Sequence, residues 1–401
     1  MTRRLWYVAL VLLGAASSWD RPAAAETSAD QRPPTTSLAG TLRLPDTAPG
    51  ATGEPLPVMG LSGITWLGDD RYAAIMDNSD RLLVFRLECE ADSSPKAVHD
   101  LKIVTLSRSL DYEDLAPCPD RLAATIARCQ QDRGEDIPRR CVLVCEESTP
   151  AIRAIDLDSG ALLGVVPIPA ILNDRRPNRG LEALAVDPDG VHIWTANEEA
   201  LPADGPPAAE DGGTVVRIAR IAIPDERAAG DGHPSQFAYA VDPPHRFVRV
   251  ATGEPLSGVV AIVALGDNRL LVLERSGGFG LPPFESRIYL VDVTTADDVS
   301  DITEKLAEQV DLHVTKTPLW REALGCNLEG LCLGPRVNGG GRLLVGVADN
   351  GGLGTPSQLV TFVMRDEPEG FDASWIGAAA AVAAAAILVL RLTNLLPCST
   401  R

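Results

Sequence analysis

Five times along this chain the same short box recurs: an apolar residue, a polar one, a small or acidic one, then a second apolar residue. The boxes are Leu61-Ser62-Gly63-Ile64, Tyr112-Glu113-Asp114-Leu115, Leu181-Glu182-Ala183-Leu184, Leu256-Ser257-Gly258-Val259 and Leu328-Glu329-Gly330-Leu331. Each is followed by a strand-like run that ends on a polar pair: Asp77-Asn78, Glu146-Glu147, Glu198-Glu199, Glu274-Arg275 and Asp349-Asn350. A third apolar run comes after each pair, as at Leu82-Leu83-Val84-Phe85 and Arg287-Ile288-Tyr289-Leu290. Repetition of strand-rich units limits the chain to blades, solenoid turns or arrays.

The spacing and the turns choose among these. Units of roughly 50 to 75 residues are too long for the coils of a β-helix and hold four strands with variable loops. Hairpin signals precede the second run at Gly68-Asp69-Asp70, Asp187-Pro188-Asp189-Gly190 and Gly266-Asp267-Asn268. A fourth run is readable at Leu101–Leu106, Leu162–Ile168 and Phe237–Val241. The expected fold is therefore all-β, a β-propeller with five visible repeats. A degenerate sixth blade is assembled from the strand-like Thr41-Leu42-Arg43-Leu44 and the tail of another unit, with the two ends of the chain closing a blade between them. The only helix expected in the propeller is a short one over Asp301–Val310. Aromatic residues make up 4% of the chain, so packing must rest on Leu, Val, Ile and Ala, while 31 Pro and 35 Gly suit many short strands joined by turns.

The two ends carry topological signals. Arg3 and Arg4, the apolar run Leu5–Ala16 and the small residues Ala23-Ala24-Ala25 read as a signal peptide over 1–25. Residues 26–57 read as a flexible leader, 58–365 as the propeller and 366–374 as an acidic linker. Residues 375–396 read as a transmembrane anchor, uncharged from Trp375 to Leu390 and with Arg391 able to snorkel. The protein is thus expected to be exported and membrane-anchored, with the propeller in the periplasm or outside the cell. Eight cysteines in an exported chain point to disulfides. Cys118, Cys129, Cys141 and Cys145 bracket an insertion in the second unit, and Cys326 and Cys332 either clamp the fifth box or each find another partner. A formal charge of -19 disfavours nucleic acid and favours cations.

In a propeller the inner strands line a central channel, so the polar position of each box converges on one axis. That brings together Ser62, Glu113, Glu182, Ser257 and Glu329, and alternation aims one member of each polar pair inward as well. So many carboxylates repel one another unless a hard cation or an arginine relieves them. Oxygen-only donors, without His or Cys at the repeated positions, select Ca²⁺ or Mg²⁺ over zinc. The candidate metal ligands are Glu113, Glu182, Glu329, Asp77 and Asp349. Arg179 and Arg275 are candidates to hold an anionic ligand. No nucleophile elbow is present, since Gly60-Leu61-Ser62-Gly63-Ile64 lacks its last glycine, and the five histidines fall outside the repeated positions.

Taken together, Asn178-Arg179-Gly180-Leu181-Glu182-Ala183-Leu184-Ala185-Val186 with Asp187-Pro188-Asp189-Gly190, Leu61-Ser62-Gly63-Ile64, Leu271-Val272-Leu273-Glu274-Arg275, and Asn327-Leu328-Glu329-Gly330-Leu331 with Asp349-Asn350 resemble the phytase-like propeller family, also described as esterase-like activity of phytase. The resemblance implies a secreted or periplasmic propeller with metal-assisted hydrolysis of phosphate or carboxylic esters, in which calcium holds phosphate and activates water. The chain departs from the propeller phytases in its sparse lysines and acidic balance. The reading that follows is a calcium-dependent ester hydrolase, with Glu182 and Glu329 as catalytic residues and a small anionic ester as ligand. Two other readings stand beside it: a non-catalytic propeller that binds a ligand or protein, and a lactonase-like propeller with one axial calcium.

Overall fold

The computed structural model describes residues 33–133, 140–223, 233–349 and 356–366. They form five four-stranded antiparallel sheets. The inner strands are Leu61–Trp66, Tyr112–Pro117, Leu181–Val186, Leu256–Gly266 and Asn327–Arg336, and each lies against the next until the fifth returns to the first. Five hydrophobic cores fill the seams, one between each pair of neighbouring blades. They are built mainly from Leu, Val, Ile and Ala of the second and third strands, the expected answer to a chain poor in aromatics.

The ring has five blades, not the six preferred from sequence. The strand expected to seed a sixth blade, Thr35–Arg43, instead pairs along Gln358–Arg365 and becomes the outer strand of the fifth. The two ends of the described chain do close a blade between them. Because the core between the fifth and first blades is continuous, from Val345 and Val347 to Leu61 and Leu83, no seam is left for another sheet. Ordered structure therefore begins before residue 58: Thr47–Pro49 and Pro55–Pro57 also pair as a small hairpin. Residues 1–32, the linker beyond Asp366 and the 375–396 segment lie outside the described residues, and no described helix is long and apolar enough to cross a membrane.

One α-helix, Asp120–Arg133, was not foreseen. It sits in the cysteine-bracketed insertion, where Leu122 and Ile126, four residues apart, turn one face onto the core between the second and third blades. The segment expected to be helical holds only the 3-10 turns Leu306–Glu308 and Val310–Leu312. Cys326 and Cys332 face different cores, one towards the fourth blade and one towards the first, so they do not clamp the fifth box.

The box owes its composition to crowding at the axis. Each inner strand carries a bulge, and the bulge skips Ser62, Glu113 with Asp114, Glu182, Val260 and Glu329. A bulge re-aims its extra residue. Here that gathers Ser62, Glu113, Glu182 and Glu329 around the axis, whereas Asp114 turns to backbone N–H groups and Val260 packs into the seam between the fourth and fifth blades. The fourth blade breaks the pattern: its bulge falls at Val260, three residues after Ser257, so the Leu256-Ser257-Gly258-Val259 box is out of structural register with the others. The small residue after the bulge is needed because neighbouring inner strands nearly touch. A Cβ on Gly330 would lie 2.8 Å from both Gly63 Cα and Ser62 O. Gly330→Ala is therefore expected to destabilise by about 1–3 kcal/mol, as overpacking against backbone does, read from the urea unfolding midpoint.

Candidate active site on the propeller axis

All inner strands begin, and all second strands end, at one face of the ring, called the upper face here. Counted from the bulges, equivalent second-strand ends bring up Asp77, Glu147, Glu198, Arg275 and Asp349. Each of the first four reaches across to the following blade. Asp77 meets Asp111 and Glu113, and Glu147 accepts the Gly180 N–H at 2.5 Å. Glu198 lies against Gly258, where a Cβ would be 2.5 Å from its Cγ, and Arg275 meets Asn327 and Glu329. The preceding residues turn into the blades instead: Glu146 pairs with Arg153, and Glu274 with Lys316 and Tyr239. Asn350 lies outside the described residues.

These groups divide the axial site into two halves of opposite electrostatic character. On one side arginines satisfy the carboxylates. Arg275 is clamped between Glu198 and Glu329, with Asn327 donating to Glu329 at 2.7 Å. Arg179 holds the other Glu198 oxygen at 2.9 Å and keeps 28% of its side chain exposed. Arg275, 10% exposed, is thus committed to its carboxylates, while Arg179 remains open to a ligand.

On the other side no basic group balances the acids. Asp77, Asp111 and Glu113 each offer an oxygen within 4.8 Å of the other two, and no ion pair reaches any of them among the described residues. Their remaining contacts are neutral: Asn78 donates to Asp77 at 2.7 Å, Ser148 to Asp111 Oδ2 at 2.6 Å, and Ser62 to Glu113 at 2.8 Å. Asp111 Oδ1 is buried without a hydrogen-bond donor. Burial pushes Asp77 up to about 6 and Glu113 well above the carboxylate range, and repulsion between neighbouring carboxyls adds to both. Burial likewise pushes Glu147 up to about 7, with Asp111 and Glu198 contributing.

Glu182 sits between the halves. It is closely surrounded yet retains some solvent exposure, and burial raises its carboxyl well above the ordinary range, reinforced by Glu113, Glu198 and Glu147 and opposed by Arg275. Burial also pushes Glu329 up to about 7, Arg275 pulling down and Asp349 pushing up. Of the residues singled out from sequence, Asp77 and Glu113 lie together, Glu182 borders them, and Glu329 and Arg275 form the neutralised half with Asp349 close by. Sequence reasoning missed Asp111. Its signal was slight, a lone acid preceding the Tyr112 box, and its value depends on Asp77 of the neighbouring blade. Ser257 lies three residues before the bulge of its strand, and the residue skipped there, Val260, packs into the core between the fourth and fifth blades, so the fourth blade brings no polar box residue to the axial cluster.

Ca²⁺ takes oxygen ligands at about 2.3–2.6 Å, so two oxygens up to twice that apart can share one ion. Three carboxylates at this separation, one with an orphaned buried oxygen and none with a cationic partner, fit a hard divalent cation. They offer no thiolate or imidazole for zinc.

Among solved structures, the chain is similar to the PQQ-bound aldose sugar dehydrogenase of Streptomyces coelicolor, at 13% identity and a TM-score of 0.37, covering 83% of this chain and 100% of that one. It is also similar to a protein from Lactobacillus plantarum, at 12% identity and a TM-score of 0.32, covering 79% of this chain and 88% of that one. No curated protein matches the chain. The model of the phytase-like family, described as esterase-like activity of phytase, matches residues 56–352, and with nearly three-quarters of its length inside that match the chain belongs to the phytase-like family.

Proposed function

We propose that this propeller is a calcium-dependent hydrolase of small anionic esters, phosphate or carboxylic, acting at the upper mouth of its channel. The observation that carries the reading is the Asp77, Asp111 and Glu113 cluster, uncompensated by any described cation, facing an arginine-bearing half across the same axis. Asp77, Asp111 and Glu113 would hold the ion, with Glu182 and Glu147 bordering it and Glu329 and Asp349 on the far side. A hard divalent cation held there would supply Lewis acidity towards a phosphoryl or acyl oxygen.

The chain's own groups do the rest. Arg179, the partly exposed guanidinium paired with Glu198, orients the anionic part of the ligand. Glu182, whose carboxyl is raised well above its ordinary range by burial and by the neighbouring Glu113, Glu198 and Glu147, is the group assigned to donate a proton to a leaving oxygen. Glu329, near 7, can accept and return one, since general acid–base groups work best when their pKa is close to the operating pH. Arg275 positions Glu329 rather than the ligand.

Export and a C-terminal anchor belong to the same proposal. Thr35 pairs with Arg365 at the lower face, so the described chain enters and leaves opposite the carboxylates. An anchor following Arg365 would leave the upper mouth open to solution.

Turnover of p-nitrophenyl phosphate and p-nitrophenyl acetate, with calcium and with chelator, tests the activity. Glu182→Gln should lower turnover of the better substrate by roughly 10²–10⁴-fold while the unfolding midpoint stays near that of wild type. If neither ester is hydrolysed in the presence of calcium, the hydrolase reading fails and the ligand-binding propeller takes its place.

A further inference from the structure

We propose that Cys118 and Cys141 are joined by a disulfide that clasps the helical insertion of the second blade at its base, on the lower face of the propeller. The two residues continue the ladder between the inner and second strands of that blade. Pro117 pairs with Val142, and one step further the Cys118 N–H donates to the Cys141 carbonyl at 3.2 Å. Directly opposed residues of an antiparallel pair lie about 4.5–5.5 Å apart at Cα, inside the span of about 4.4–6.8 Å that a disulfide bridges. The two thiols also interact: the Cys118 side chain, together with burial, pushes the Cys141 thiol well above its ordinary range.

Between them the chain runs out through the Asp120–Arg133 helix and returns at Arg140. Leu122 and Ile126 seat on the core between the second and third blades, with Cys118 and Cys141 partly buried beside them. Both thiols are thus held in place by packing and remain within reach of solvent. The nearby alternative, Cys145, is fully buried and its sulfur accepts the Asp114 N–H at 3.2 Å.

The bond needs an oxidant of the disulfide class, such as oxidised glutathione or a disulfide-exchange protein. One cysteine thiolate attacks the oxidant's S–S bond, forming a mixed disulfide and expelling one thiolate. The second cysteine thiolate then attacks the sulfur carried by the first and expels the other. Two cysteine thiols become one disulfide, the oxidant is reduced to two thiols, and the two cysteine protons pass to the leaving thiolates.

The test uses the wild-type full chain. The purified protein is incubated with oxidised glutathione, its free thiols are alkylated, and it is digested with trypsin without reductant. Peptides 109–121 and 141–153 should be recovered as one linked mass that separates on reduction, with fragment ions placing the link at Cys141 rather than Cys145. Recovery of Cys118 and Cys141 as separately alkylated peptides, or of either one linked to a different cysteine, overturns the proposal. Cys118→Ser provides the complementary result: Cys141 should become fully alkylatable before reduction.

Discussion

Replacing Asp114 by alanine is expected to lower the stability of the folded protein by about 3–5 kcal/mol, among the larger effects of any single substitution. Asp114 is 1% exposed and occupies the second place of the bulge in the second inner strand. One oxygen accepts the Leu115 N–H at 2.8 Å and the other the Leu184 N–H at 2.9 Å, while the Ile64 N–H also donates to the carboxyl. A single side chain therefore fastens the inner strands of three consecutive blades. Burial pushes this carboxyl well up and the three backbone donors pull it down, so it persists in the core only because those donors are present. Alanine removes the acceptor and leaves buried N–H groups unpaired, each costing about 1–3 kcal/mol. Asparagine should be milder, since it keeps one accepting oxygen but turns an amide N–H₂ towards a backbone donor. Urea unfolding read by circular dichroism measures both. An Asp114→Ala variant within about 0.5 kcal/mol of wild type, the range of ordinary surface changes, would show that apolar packing alone holds the ring.

The second large effect concerns calcium and pH together. Asp77 is raised to about 6, and Glu147 and Glu329 to about 7, whereas unfolded carboxyls titrate near ~4. The folded state therefore keeps protons that the unfolded state would already have released. The stability these groups contribute is fully present below about pH 4 and is lost as pH rises through 6 and 7. In chelator the unfolding midpoint should accordingly fall between pH 5 and pH 8. Calcium competes with protons for the same oxygens, so its stabilisation should grow over that interval. At a hundredfold excess over its dissociation constant it contributes about 2.7 kcal/mol, or roughly 4 °C for a domain of this size. Glu113→Gln should remove the calcium-dependent shift and, at pH 8 in chelator, melt above wild type, because one repelling charge is gone. Superimposed calcium and chelator curves at every pH would remove the metal from the proposed function.

Much of the fold was legible because a propeller writes itself repeatedly. The boxes and the third runs at Leu82–Phe85 and Arg287–Leu290 fall in strands of the expected order, and the hairpin signals fall at the turns between the first and second strands. The count of blades was not legible, since Thr41–Leu44 reads the same whether it opens a sixth sheet or completes the fifth. That choice is made by pairing with Gln358–Arg365, more than three hundred residues away in sequence. The fourth box misled for a related reason. Leu256-Ser257-Gly258-Val259 matches the first box at three of its four residues, yet the register break comes at Val260, where packing against the neighbouring strands decides which residue is squeezed out of the ladder. The helix at Asp120–Arg133 escaped notice because only Leu122 and Ile126 mark its apolar face, and that face acquires meaning only against a core built by other blades.

By itself the sequence determined the class of fold, the recurrence of a carboxylate or hydroxyl at one position of each repeat, and the oxygen-only donor set that recurrence offers, because periodicity along a chain becomes symmetry about an axis. Only the tertiary structure decided how those charges are shared. Glu198 and Glu329 are claimed by Arg275, whereas Asp77, Asp111 and Glu113 are left to one another. Each of these partnerships joins one blade to the next, and the geometry between blades is set by how the five seams pack when the ring closes, which no single repeat contains.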